Sequence, residues 1–125
     1  MIDFKDRELL VEGDEVIVTV DGDKAPHLAS YHGGYYPRCK DVDTIFPDGR
    51  IERVSWDRIS MLKDTFDKVA FRRGYQDKVV RVSYPGCEGM RGRVNRFSSD
   101  NRTLWIHTFG VSNYLEFPIE HVEVI

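Results

Sequence analysis

Eight basic side chains lie between Arg72 and Arg102, and seven of them are arginine. A guanidinium grips phosphate through two parallel hydrogen bonds and stacks on planar rings. Arginines set among aromatic residues are therefore the chemistry of a nucleic-acid surface. Residues 1–69 carry 10 basic and 15 acidic side chains, a balance of −5, whereas residues 70–125 carry 8 and 6, a balance of +2. With a net charge of −3 over 125 residues, the chain does not bind phosphate by bulk charge. Any such surface must be local and built in the second half.

Period-two alternation predicts which of these side chains share a face. Over Met90–Val94, Met90, Gly92 and Val94 fall on one side, Arg91 and Arg93 on the other. Val80, Val82 and Tyr84 share the inward side of the preceding strand, leaving Arg81 outward. Leu104 and Ile106 suit the core of the next, leaving Trp105 and His107 turned away. The expected outward face thus carries Arg81, Arg91, Arg93, Trp105 and His107, with Arg96 and Arg102 as further phosphate contacts. So few polar side chains imply little direct base reading. The plainer alternative is that the arginines are simply solvated and Trp105 covers an apolar seam.

Other chemistries leave weaker traces. There is no GxxxxGKS/T loop, HExxH or GxSxG, and the glycines from Gly86 to Gly92 do not open a helix, so an enzyme is not expected. Cys39 and Cys87 stand 48 positions apart. Together with His27 and His32 they lack the close pairs of a zinc site, so neither metal nor cofactor is expected. Tyr31, Tyr35, Tyr36 and Trp56 suit either an aromatic cage for a methylated cation or core and hairpin packing.

The elements that must position these residues are mostly strands. Glu15–Val20 alternates as a strand closed by Asp21-Gly22-Asp23, and residues 24–34 read as loop. A β-like run from Tyr35 to Phe46 and a strand over Arg50–Trp56 form a hairpin about Pro47-Asp48-Gly49. From Asp57 to Phe71, Ile59, Leu62, Phe66, Val69 and Ala70 recur at helical spacing, with a short strand over Lys68–Phe71 as the competing reading. Strands follow at Lys78–Tyr84, Met90–Phe97, Arg102–Phe109 and Tyr114–Phe117. One helical turn at Pro118–His121 then precedes Val122–Ile125. This pattern fits a small closed barrel. Gly13–Val18 echoes Asp77–Val82, and Ser55–Ile59 echoes Phe117–Val122, a faint sign of duplication.

The run Lys78-Val79-Val80-Arg81-Val82-Ser83-Tyr84-Pro85-Gly86-Cys87-Glu88-Gly89-Met90-Arg91-Gly92-Arg93-Val94 resembles the KOW motif, at Val80, Val82, Gly86, Gly89, Gly92 and Val94. Tyr35–Cys39 with Asp48–Trp56 is more loosely similar to Tudor-like modules. These resemblances imply a mainly β chain of two SH3-like barrels, residues 8–58 and 75–125, joined by a helix over 59–73. KOW modules occur in large-subunit ribosomal proteins, in NusG-type elongation factors and in phage proteins that modify host transcription. The acidic first half departs from the ribosomal kind. The expected role is non-catalytic binding of nucleic acid, double-stranded DNA ahead of RNA, in transcription or the modulation of host functions. The alternative is a protein–protein adaptor docking on RNA polymerase or another bacterial complex, with the acidic first module meeting a protein partner. The first residues lack a secretory pattern, and no run reaches the roughly 18–20 apolar residues of a span. A cytoplasmic location, the host cytoplasm for a phage protein, is expected, with no membrane partner.

Overall fold

The computed structural model describes residues 4–19, 26–34, 40–110 and 113–125. The protein is mainly β: the described residues form two five-stranded antiparallel sheets, with one substantial helix among them. Its contacts divide it into two compact units, residues 1–69 and 70–125. No helix among the described residues is long and apolar enough to cross a membrane.

Unit 1 begins with the single turn α1 (Phe4–Arg7). It continues through β1 (Glu15–Val18), β2 (His27–Gly34), β3 (Asp41–Ile45) and β4 (Ile51–Ser55). A 3₁₀ turn over Trp56–Arg58 then leads to β5 (Ile59–Met61). The sheet order is β4-β3-β2-β1-β5. Alternation puts Val16, Val18, Ala29, Tyr31, Val42 and Phe46 inside, where Trp56 and Ile59 join them.

Two sequence expectations fail here. Residues 27–34, expected as loop, form the central strand. His, Ser and Gly are tolerated there because β1 and β3 satisfy the backbone on both sides and Ala29 and Tyr31 supply the inward row. Ile59, expected on a helix, is the buried start of β5, which pairs with β1 in the register Val18↔Ile59 and Ile17↔Ser60. The Ser55 hydroxyl accepts the Asp57 N–H at 3.3 Å and caps the 3₁₀ turn that swings the chain onto β1. A free strand edge thus captured residues whose spacing also suited a helix. The helix proper, α2 (Lys63–Arg73), starts four residues later than the helix expected over 59–73 and leaves Phe66 exposed.

The boundary between the units falls inside α2. In unit 1, the Thr65 hydroxyl donates to the Glu15 carbonyl at 2.7 Å and Val69 is buried in the core. In unit 2, the fully buried Arg72 donates from Nε to Asn101 Oδ1 at 2.6 Å and from Nη2 to the Ser99 carbonyl at 3.1 Å. These bonds fix the turn between β7 (Arg91–Phe97) and β8 (Thr103–Thr108). They also supply the partners a buried guanidinium requires.

The remaining strands are β6 (Val79–Val82), β9 (Tyr114–Pro118) and β10 (Val122–Val124), the last two separated by a 3₁₀ turn over Ile119–His121. The order is β10-β6-β7-β8-β9 around a core of Val80, Val82, Val94, Phe97, Leu104, Ile106 and Phe117. Strand pairing does not close either sheet into a ring. β4 and β5 end the first, β9 and β10 the second, so the expected hydrogen-bonded closure is absent among the described residues.

The two units repeat one another in register. Val16↔Ala29 matches Val80↔Gly92, Ser30↔Ile45 matches Arg93↔His107, Ile45↔Ile51 matches His107↔Tyr114, and Ile17↔Ser60 matches Arg81↔Glu123. Both second strands carry a bulge at the corresponding place, between Tyr31 and Gly33 and between Val94 and Arg96. Hydrogen bonds outside the ladders repeat as well. Gly13 donates to Tyr31 and Tyr31 to Asp14, as Asp77 donates to Val94 and Val94 to Lys78. Trp56 donates to Lys40 as Ile119 does to Arg102, and Thr19 to Arg58 as Ser83 does to His121. Both faint echoes in the sequence lie within this repeat.

Candidate functional site

The expected outward face exists on unit 2, and the strand registers arrange it in three rungs. Arg93, His107 and Tyr114 form the first, on β7, β8 and β9. Arg91 and Phe109 form the second, where the Phe109 N–H donates to the Arg91 carbonyl at 3.0 Å. Arg96, Trp105 and Glu116 form the third. Gly92 and Val94 point inward and are buried, as alternation requires.

Arg96 reaches this face only through the bulge. By strict alternation it would share the inward side with Gly92 and Val94. The extra residue, Asn95, shifts the register so that Arg96 stands opposite Trp105. Its guanidinium then lies over the indole, 4.6 Å from the ring centroid. One face of Trp105 is thereby covered by a cation.

The other expected residues divide. Arg91 makes no ion pair among the described residues. Arg93 donates to the Asp77 carbonyl at 3.0 Å. Arg81 lies on the same face but is ion-paired with its cross-strand neighbour Glu123. Both are half exposed, so this pair is worth at most about 1 kcal/mol. Arg102 sits in the β7–β8 turn, outside the three rungs. Its backbone N–H and the Ser98 hydroxyl both donate to Asp100, and the hydroxyl is the larger cause holding that carboxyl below its ordinary value.

Sequence reasoning missed Tyr114 and Phe109, each 54% exposed. The Tyr114 ring lies 5.1 Å from that of His107, tilted by 43°. Period two along Tyr114–Phe117 would have set Tyr114 opposite the inward Phe117. Phe109 was hidden by its place at the end of a strand.

Glycine explains how the arginines stand so close to the next strand. A Cβ on Gly92 would come within 2.5 Å of Ile106 Cγ2 and closer still to the His107 carbonyl oxygen. Only glycine allows β7 and β8 to approach here. Gly86 and Gly89, in the loop before β7, have φ of +86° and +80°, where a side chain would be strained.

The tyrosine cluster takes a different form. Tyr31 and Trp56 are 4% and 3% exposed, their ring centroids 6.2 Å apart in the core of unit 1, and Arg7 lies over Trp56 at 5.0 Å. These two rings pack the core, the other role read from the sequence. Tyr35 and Tyr36 lie outside the described residues, as does Cys39. Cys87 is a free thiol packed against the core of unit 2.

Compared with known proteins, the chain matches no protein-family model and no curated protein.

Proposed function

We propose that this protein is a non-catalytic nucleic-acid-binding protein that acts through the outer face of unit 2. The observation that carries the reading is the rung arrangement itself. Arg91, Arg93 and Arg96 stand on successive rungs of the outward face of one strand, flanked by the side chains of Trp105, His107 and Tyr114. Guanidinium groups provide phosphate contacts and aromatic rings provide stacking surface, so the face offers both halves of sequence-tolerant recognition.

Each unit is read as an SH3-like module, the second of the KOW kind. Support comes from the order fifth-first-second-third-fourth in both sheets, with a 3₁₀ turn before each last strand. The tight seat of Gly92 and the left-handed conformations of Gly86 and Gly89 give the KOW-like glycines a physical reason. A role in transcription or in modulating host functions, in the cytoplasm, is what that resemblance implies.

The test is fluorescence anisotropy of labelled DNA and RNA oligonucleotides at stepped salt concentrations. Binding should weaken steeply with salt. An Arg91→Ala/Arg93→Ala variant should lose affinity and flatten the salt slope by roughly one to two, since each lost phosphate contact removes about 0.7–0.9. Flat traces for every oligonucleotide at low salt would refute the reading.

One observation favours the adaptor as a second reading. The matching face of unit 1 exposes Leu28 and Ile51, at 47% and 57%, within an acidic half of the chain. An apolar face with acidic surroundings suits a basic protein surface.

A further inference from the structure

We infer that the outer face of unit 2 takes single-stranded nucleic acid, holding unpaired bases against Tyr114, His107 and Phe109 while Arg91 and Arg93 hold the phosphates. This deepens the proposed function and rests on it.

The inference begins from the exposed rings. Tyr114 and Phe109 each leave 54% of their surface in water, and both stand beside arginine rungs. Arginines alone would suffice for a duplex, whose outer surface is phosphate and whose base faces are already covered by their neighbours in the stack. Rings next to those arginines gain little from such a ligand. They gain most from bases that are unstacked and splayed, each of which presents a free π-face. Tyrosine and phenylalanine also lose little conformational freedom on binding, which suits a rigid platform.

The geometry distributes the roles. The Arg93–His107–Tyr114 rung crosses three strands, so a cation at one end and a ring at the other lie on one line across the sheet. The neighbouring rung repeats that order with Arg91 and Phe109. A strand laid along β7 would place its backbone over the arginines and its bases toward β8 and β9. Trp105 is the least available ring, because Arg96 already covers it. That pair marks one end of the platform. The exposed carboxylate of Glu116, opposite Trp105, repels phosphate on the β9 side and keeps the backbone over β7.

Unit 1 supplies an internal control. In the same registers it carries Leu28 for Arg91, Ser30 for Arg93, Ile45 for His107 and Ile51 for Tyr114. The scaffold therefore does not demand aromatic or basic side chains at these places. Their presence in unit 2 calls for a ligand.

The deciding experiment uses the full chain and four labelled probes of about 16 nucleotides, enough for one small β-module. These are single-stranded DNA, single-stranded RNA, the DNA duplex of the same sequence, and an abasic strand carrying the same phosphates. The single strands should bind about tenfold or more tightly than the duplex and the abasic strand. Tyr114→Ala should weaken single-strand binding about tenfold with an unchanged salt slope, and Phe109→Ala should do the same to a smaller degree. Ile51→Ala, at the matching place in unit 1, should leave binding unaltered. Equal affinity for duplex, abasic and single-stranded probes, or an undiminished Tyr114→Ala, would overturn the inference while leaving a phosphate-binding face intact. Absence of binding to all four probes would overturn the proposed function along with it.

Discussion

At the position where unit 2 sets Arg91 into its sheet, unit 1 sets Leu28. His107 answers to Ile45, Tyr114 to Ile51, and Trp105 to Asp43, whose carboxylate is bonded to Arg53 at 3.1 Å. The inward positions differ less in kind. Val80 and Val82 answer to Val16 and Val18, Leu104 to Val42, and Val122 to Ile59, all of them buried. Backbone register and core positions are thus shared by the two units, while the outward positions are not. Core residues are constrained by volume and apolarity in both copies. Outward residues are constrained only by what they meet, so the two faces can differ in chemistry without any change in the shared register.

The sharpest way to break the correspondence is at Gly92, whose counterpart Ala29 already carries a methyl group in unit 1. Gly92→Ala should cost about 3 kcal/mol, because the new Cβ meets a backbone oxygen that cannot move without parting β7 from β8. Ala29→Gly should cost about 1 kcal/mol. Thermal unfolding of the two variants measures the contrast, and equal losses would contradict the tight seat assigned to Gly92.

Exchanging the faces comes next in size. Arg91→Leu with Arg93→Ser gives unit 2 the residues of unit 1, and should remove about 2 kcal/mol of binding to nucleic acid. The converse change, Leu28→Arg with Ser30→Arg, made in that same protein, should restore little. Glu15 and Asp43 share the outward side of unit 1, and no aromatic ring answers to Tyr114 there. Anisotropy at constant salt compares all three, and full restoration would show that charge alone makes the site.

A smaller effect concerns one core slot. Phe46 fills it in unit 1, whereas unit 2 places Thr108 there, buried, with a hydroxyl that finds no partner among the described residues. Thr108→Val should therefore stabilise the protein by about 1 kcal/mol, read as a higher midpoint in thermal or urea unfolding. A lower midpoint would mean that the hydroxyl is satisfied in solution.

The smallest effects are of opposite sign in pH. In unit 1 the side-chain hydrogen bond to Asp67 raises the Lys63 pKa above its ordinary value. Its contribution is complete below the unfolded pKa and is lost as pH rises through the folded one. In unit 2 the Ser98 hydroxyl lowers the Asp100 pKa, so that contribution is present above the unfolded pKa and is lost as pH falls through the folded one. Both groups are fully exposed, so the changes in stability should be slight. Site-resolved NMR titration of each, with Asp67→Asn and Ser98→Ala as the respective controls, should show the midpoints returning toward ordinary values.

Much of unit 2 was legible in the sequence because its strands alternate cleanly and its turns carry Gly, Pro, Asn and Asp. The period over Met90–Val94 and Leu104–Ile106 was enough to set Arg91, Arg93, Trp105 and His107 on one side. It was not enough for Arg96, since the extra residue of a bulge has no local signal. Nor did it predict the pairing of Arg81 with Glu123, which brings together residues 42 positions apart. In unit 1, β2 went unseen because its His-, Ser- and Gly-bearing sequence reads as loop until two neighbouring strands satisfy its backbone.

By itself, then, the sequence determined the mainly β character, the concentration of arginine in the second half and the alternation that turns those arginines outward. These are local properties, set by side-chain chemistry and a period of two. Only the tertiary structure decided that Ile59–Met61 would pair as a strand, that the two halves share one register, and that Tyr114 and Phe109 would stand exposed beside the arginines. Each of those outcomes depends on pairing between segments distant in the chain, where a hydrogen-bonding edge outweighs the weak preferences of the residues that meet it.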